Sequence, residues 1–348
     1  MSRDPFGSTD AFREAFAVGL ERLLWEEDGL GPFILVLANA TFDMKIYHRR
    51  RHDLARRFWE LAEGCRCAFI AGRQPREPED DLNAFLKLMA IGFDHIEPRR
   101  MRQLGSWEVQ FNQVRSLRPQ RAAGDNPTSI RAPYDQAGFQ FNKPFLRKET
   151  FWSGLLEGVA VDLLFNKFPF VDLHALLVPE RKKNEPQYLT DARHLWLWGL
   201  AEHLEPALPG VGFGFNSYGA FASVNHMHFQ MFQRELTLPV AQGCWRHNGG
   251  EEPYPACCEL YLDPEVAWKR ITDLHQREIA YNLIYLPGRL YCLPRRLQGT
   301  YDLPVWCGGQ AWYELAGGVV AYNADDFEIL RSDDVRTALA ASARSSNR

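Results

Sequence analysis

The sequence predicts an α+β protein, with helices first and then an antiparallel sheet whose strand pairs recur with helices between them. Three observations carry that expectation. Apolar residues repeat at helical spacing through much of the first hundred positions, and from Val159 the period changes to two. The run Asp162-Leu-Leu-Phe-Asn, a turn, then Leu-Leu-Val-Pro179 is echoed by Asn282-Leu-Ile-Tyr-Leu, a turn, then Tyr-Cys-Leu-Pro294. A duplicated sheet unit would give such an echo, and so would two independent hairpins of like composition.

Taken in order, Phe12, Phe16, Leu20, Leu23 and Leu24 predict a helix over residues 8–27 that stops near Gly29. Phe33-Ile-Leu-Val-Leu37 reads as a short buried strand. The basic run from Tyr47 to His52 leads into an amphipathic helix through Phe58, Trp59 and Leu61, and a further helix follows from Asp80 to Phe93. Pro119, Gly124-Asp125-Asn126-Pro127, Pro133 and Pro144 mark 116–144 as loop. Val159–Phe165 and His174–Pro179 read as paired strands, and Thr190-Asp191 caps a helix that ends by Pro209-Gly210. Val211–Phe215 and Phe221–Phe232 are expected strands. Asp263-Pro264 starts a helix to Gln276, and Pro287-Gly288 turns a hairpin between 279–286 and 289–294. Beyond Ser332 the Ser, Ala and Arg content predicts a frayed helix or flexible tail over 333–348. The domain expectation is a helix-rich extension at 1–105 and a catalytic domain at 106–332, with a degenerate second repeat over about 260–332.

Of the 348 residues, 46% are apolar and 24% charged, which excludes disordered, collagen-like and coiled-coil chains. Forty Lys and Arg against forty-four Asp and Glu leave a formal charge of -4, so bulk charge recruits neither nucleic acid nor anionic membrane. The first residues lack an apolar signal region, and no apolar stretch approaches the roughly 20 residues that span a bilayer. Seven cysteines, an odd number without framework spacing, fit reduced thiols. A cytoplasmic protein without membrane contact is expected.

Chemistry concentrates between Phe215 and Gln230. As a strand, this segment would turn His226, His228 and Gln230 to one face and Met227, Phe229 and Met231 to the other. Three hydrogen-bonding side chains beside a Gly-containing turn suit an anion held by donors and attacked by an imidazole. Two histidines at i and i+2 also make a zinc half-site, but zinc takes about four ligands and neither a CxxC nor a second HxH is present. A pair of structural histidines is the remaining alternative.

The pattern His226-x-His228-x-Gln230 resembles the transferase branch of the histidine-triad superfamily, and within it the GDP-hexose phosphorylases that act on GDP-D-glucose or GDP-L-galactose. Phe111-Asn112-Gln113-Val114-Arg115, the segment from Phe215 to Gln230, Tyr281-Asn282-Leu283 and Trp312 to Gly318 carry the likeness, which covers about 106–330 in order. It implies a histidine-triad-like sheet and places Asn216, Gly219 and Ser223 around the reacting phosphate. Asn166 and His174 would fall on a strand pair facing the nucleotide, with Asn112 and Arg115 as candidates for the base. Asp172-Leu173-His174 departs from the small residue and glycine usual before that histidine, and Lys167, Phe168 and Phe170 also depart.

The implied reaction has two steps: His228 attacks the α-phosphorus of a nucleotide sugar, a guanylyl-histidine forms, and inorganic phosphate collects the nucleotidyl group. No metal or cofactor is implied. His226 would orient the nucleophile or touch the phosphate, and activity should fall below the ordinary imidazole value of about 6.5. An amide at 230 donates hydrogen bonds but cannot shuttle protons, which favours transfer over hydrolysis. Lys143, Arg147 and Lys167 are candidate screens for the incoming anion. A homodimer is expected. The alternatives are a hexose 1-phosphate nucleotidylyltransferase, a dinucleoside polyphosphate phosphorylase, or a non-catalytic nucleotide- or RNA-binding adaptor using basic residues 48–57.

Overall fold

A computed structural model describes residues 4–117 and 127–344. Four helices open the chain: α1 (Thr9–Glu26), α2 (Leu30–Phe42), α3 (Met44–Ile70) and α4 (Glu79–Ile91). Ser8 caps α1 by accepting from the Ala11 N–H, and Asp43 caps α3 through the N–H groups of Lys45 and Ile46. The strand expected at Phe33–Leu37 is the middle of α2 instead. Every α2 residue except Pro32 is buried, and a helix apolar all round is a core helix whose sequence shows no telling period. Phe33 packs against Phe58 of α3 and Phe85 of α4, with centroids 6.2 and 5.7 Å away.

Two strands follow that the sequence reading missed, β1 (Arg100–Leu104) and β2 (Trp107–Phe111), then the one-turn helix α5 (Gln113–Ser116). The expected loop holds one 3₁₀ turn, Pro144–Arg147, among its described residues; Arg118, Pro119 and Gly124 to Asn126 lie outside them. The chain continues through β3 (Thr150–Leu156, also missed), β4 (Val159–Phe165), β5 (Ala175–Pro179), α6 (Asp191–Leu204), β6 (Val211–Asn216) and β7 (Phe229–Gln233). It ends with β8 (Glu259–Tyr261), α7 (Pro264–Gln276), β9 (Tyr281–Leu286), β10 (Arg289–Pro294), α8 (Trp312–Leu315), β11 (Gly318–Ala321), α9 (Ala324–Ile329) and α10 (Ser332–Ser342). The α10 helix buries Val335, Ala338 and Leu339, so 332–342 is a packed element rather than a flexible tail. Residues 345–348 lie outside the described part.

The α+β expectation is met. Eight strands form one antiparallel sheet in the order β3-β4-β5-β7-β6-β9-β10-β8, and β1, β2 and β11 form a second, smaller sheet. The echoing segments are β4–β5 and β9–β10, antiparallel pairs on either side of the central β7–β6 pair. Helices α6 and α7 cover one face, where Leu197, Leu200, Ile271 and Leu274 join Phe213, Phe215, Phe229 and Met231 in one core. That core continues into α1–α4. The other face carries a second cluster around Phe232, Ile284, Tyr291 and Trp312. No helix among the described residues is long and apolar enough to cross a membrane.

The strand expected over Phe221–Phe232 begins only at Phe229. Upstream, Gly219 and Phe221 adopt left-handed φ of 83° and 66°, which breaks extended pairing. The basic run of α3 is also accounted for: Arg49, Arg50, Arg51, Arg56 and Arg57 meet Glu14, Glu21, Asp94, Asp53 and Asp28. The face offered to RNA by the adaptor alternative is therefore already paired with acidic side chains.

Phe33→Ala should lower unfolding free energy by about 3–5 kcal/mol through loss of buried ring volume. Urea denaturation measures it, and a loss below about 1 kcal/mol would contradict the central place of α2.

Candidate active site

Gly214 of β6 pairs with Gln230 of β7, and that antiparallel register, carried two residues further, brings Asn216 level with His228. Gln187 ties the two together. Its amide nitrogen donates to the carbonyls of Asn216 (3.1 Å) and His228 (3.0 Å), and its oxygen accepts the His228 N–H at 2.9 Å. Phe141 packs on the His228 ring at 5.1 Å.

His228 Nδ1 lies 2.7 Å from the carbonyl oxygen of His226. A carbonyl only accepts, so Nδ1 carries the proton and Nε2 the lone pair. Nε2 has no hydrogen-bond partner among the described residues and is not among the fully buried polar atoms. Burial pushes the ring down to about 4, against the raising effect of the carbonyl bond.

Gln230 turns its side-chain oxygen to the indole N–H of Trp312 at 2.9 Å and to His174 Nε2 at 3.2 Å. Asn216 turns its oxygen to the Asn282 amide nitrogen at 2.7 Å and to the Trp312 peptide N–H at 2.9 Å. The NH₂ groups of both amides have no partner among the described residues, and neither is fully buried. One lone pair and two donor groups thus stand close in register, the donors on two paired strands and His228 directly before the second of them. An anion that both amides bind and the imidazole attacks suits this arrangement.

Other expected site residues have different work. His226 has both ring nitrogens committed, Nδ1 accepting the Phe141 N–H (3.1 Å) and Nε2 donating to the Arg181 carbonyl (3.0 Å). It staples three segments and keeps no nitrogen for a phosphate. His174 is 0% exposed, which leaves it no surface for a nucleotide; it backs Gln230 instead. Burial and the nearby Arg115 charge lower it to about 3. Asn166 makes a turn by accepting the Phe168 N–H at 3.0 Å, and its amide nitrogen lies 3.3 Å from His174 Nε2. Asn112 caps α5 through the Arg115 N–H and donates to Thr41, so its buried side chain is spent. Arg115 bonds the Phe168 carbonyl and lies over the Phe170 ring at 5.0 Å, bracing the turn behind His174. Gly219 makes a turn whose carbonyl accepts the Gln298 N–H, and a Cβ there would meet Leu297 at 2.4 Å. Ser223 is exposed and hydrogen-bonds to none of the cluster. Lys167 pairs with Asp81.

Four supporting residues had no assigned role in the sequence reading. Asn282 and Trp312 lay inside the family-like pattern, which was the available signal. Gln187 sits in coil and Arg295 just beyond a strand, and neither position had one. Arg295, 1% exposed, donates to the Asn282 oxygen at 3.0 Å, to the Gln310 carbonyl and to the Tyr301 hydroxyl. No group of three or more His, Cys, Asp or Glu able to hold a metal occurs among the described residues.

Residues 105–232 match the family described as GDPGP1-like, N-terminal domain. The resemblance to GDP-hexose phosphorylases is borne out over that stretch, which includes His228, Gln230, Asn216 and Gln187. Among curated relatives, GDP-D-glucose phosphorylase 1 of Danio rerio is 35% identical over 154 residues, covering 44% of this chain and 43% of its own. The Xenopus laevis protein of the same name is 43% identical over 201 residues, covering 50% of each. GDP-L-galactose phosphorylase 1 of Arabidopsis thaliana is 38% identical over 69 residues, covering 19% of this chain and 15% of its own. The chain thus spans half or less of the length of these relatives. Yeast Ap4A phosphorylase Apa2 superposes with a TM-score of 0.49 at 16% identity, covering 78% of this chain and 97% of that one.

His174 and His228 are neutral in the fold, with values far below that of a free imidazole. The unfolded chain binds their protons first, so stability is full above about pH 6.5 and is lost as pH falls toward 4. Urea midpoints measured from pH 7.5 to 4.5 should fall, and less steeply in His174→Phe. Equal slopes would contradict the enclosure of that ring.

Proposed function

We propose that the chain is a nucleotidyltransferase that cleaves a GDP-hexose with inorganic phosphate, giving GDP and hexose 1-phosphate. The observation that carries this reading is the His228 ring, with Nδ1–H locked to a carbonyl and Nε2 without a partner among the described residues, two positions before Gln230 and level with Asn216 in the strand register. The relatives' names supply the substrate class. Nε2 attacks the α-phosphorus; the bond from that phosphorus to the bridging oxygen breaks, and hexose 1-phosphate departs with the electron pair. A guanylyl-histidine remains. An oxygen of inorganic phosphate then forms the new P–O bond, the P–N bond breaks, and the imidazole is restored. Asn216 and Gln230 donate to the nonbridging oxygens, where charge grows in both transition states. Neither amide titrates, so the protons stay with the phosphates.

The reading includes a cytoplasmic homodimer acting on small molecules, without nucleic acid, metal or organic cofactor. Light scattering tests the dimer, and a monomer at micromolar concentration removes it from the proposal.

Incubation with a panel of nucleotide sugars, with and without phosphate, tests the reaction. GDP should appear from GDP-glucose only when phosphate is present. Exchange that needs a sugar 1-phosphate would point to a nucleotidylyltransferase. His228→Asn should abolish turnover while GDP still binds, and alkaline quenching followed by intact mass spectrometry should trap the guanylyl adduct on the unmodified protein only. Turnover above a few per cent in His228→Asn refutes the nucleophile. Gln230→Ala should cost on the order of 10² to 10³-fold in kcat; a loss below about threefold removes its amide from the transition state. Because burial keeps His228 neutral, kcat/KM should show no imidazole limb between pH 8 and 5.5, and a limb near 6.5 would contradict the enclosed ring.

A further inference from the structure

We infer that Trp312 is a positioning residue, whose two N–H groups decide which end of the Gln230 and Asn216 amides faces the His228 nucleophile. The inference rests on the proposed reading of those amides as phosphate donors. A primary amide fits its space either way round, and a flip exchanges two donors for an acceptor. An acceptor aimed at phosphate would repel it. Something must therefore select the orientation, and a group that can only donate does so: opposite it, a flipped amide would set N–H against N–H.

Trp312 supplies such a group to each amide, the indole N–H to Gln230 and the peptide N–H to Asn216. The second neighbour of each amide agrees. His174 has Nδ1 occupied by the Phe170 N–H, so its Nε2 donates to Gln230. Asn282 is oriented by the Arg295 guanidinium, which has no acceptor, and so turns its NH₂ to Asn216. Trp312 is itself 0% exposed and meets no substrate. Its indole is seated by Gly214, where a Cβ would come within 2.2 Å of the ring, and by Phe232, stacked at 5.0 Å and 13°.

The experiment is a double-mutant cycle in the full chain. Trp312→Phe keeps the peptide N–H and an aromatic ring while deleting the indole N–H. It should lower kcat for GDP-glucose phosphorolysis about tenfold, the scale of one hydrogen bond, with KM within twofold. In a Gln230→Ala background the same change should cost less than twofold. Equal factors in both backgrounds overturn the inference, because a merely structural role would be indifferent to residue 230. If Trp312→Phe does not fold, Gln230→Ala tests the same contact: the assigned Trp312 indole proton resonance should move upfield as its acceptor is lost, and an unmoved resonance overturns the inference. If the unmodified protein shows no phosphorolysis, the proposed function fails, and the same cycle read on GDP affinity still judges Trp312. Coupling there supports it, and equal factors sink it.

Discussion

The bond from His228 Nδ1–H to the His226 carbonyl is the contact on which the site's chemistry depends. It leaves the lone pair on Nε2, and burial keeps that lone pair unprotonated. A carbonyl two residues upstream faces the ring only because the backbone of 226–228 is pinned. Gln187 takes the His228 N–H and joins its carbonyl to that of Asn216, while His226 spends both ring nitrogens on Phe141 and Arg181. His226, which resembles a second catalytic group, thus immobilises the peptide that orients the His228 ring.

A second constraint is the supply of groups that donate and cannot accept. Amide orientation is invisible in covalent structure and is set by neighbours. Here the neighbours form a chain from the buried Arg295 guanidinium through Asn282 to Asn216, and a fork from Trp312 to both reacting-side amides. Among the described residues Arg295 has no carboxylate in direct contact, which is costly for a buried cation; its hydrogen bonds go to neutral oxygens, and its guanidinium lies 4.9 Å over the Phe221 ring.

Backbone strain gathers in the same neighbourhood. Leu173, directly before His174, has φ of 48° at a position where the family it resembles usually carries glycine. Such a conformation costs on the order of 1–3 kcal/mol in a non-glycine residue, and the buried Leu173 side chain offsets part of it. Phe221 is strained likewise at 66°, with its N–H on Gln298 at 2.7 Å. Both sit in turns that deliver a functional strand. The four N-terminal helices share the main core with the sheet, so they stiffen the platform behind these turns.

Local chemistry was enough to reveal most elements: the helix starts at Thr190 and Asp263, the change of period at Val159, the Pro287-Gly288 hairpin and the helical spacing of α1, α3, α4, α6 and α7. The order His226-x-His228-x-Gln230 was enough to mark the nucleophile and donor that the proposed function uses. Where burial is uniform, period vanishes, and α2 passed for a strand; where left-handed backbone breaks the pairing, as at Gly219 and Phe221, the expected strand over 221–228 is a loop. Only the tertiary structure decided which histidine keeps a free ring nitrogen and which staples, because both have the same sequence neighbourhood and differ in what meets their ring nitrogens. The same holds for the two amides, whose oxygens meet Trp312 and His174 from positions 56 to 96 apart. A hydrogen bond's direction depends on the partner, and such distant partners are chosen by folding.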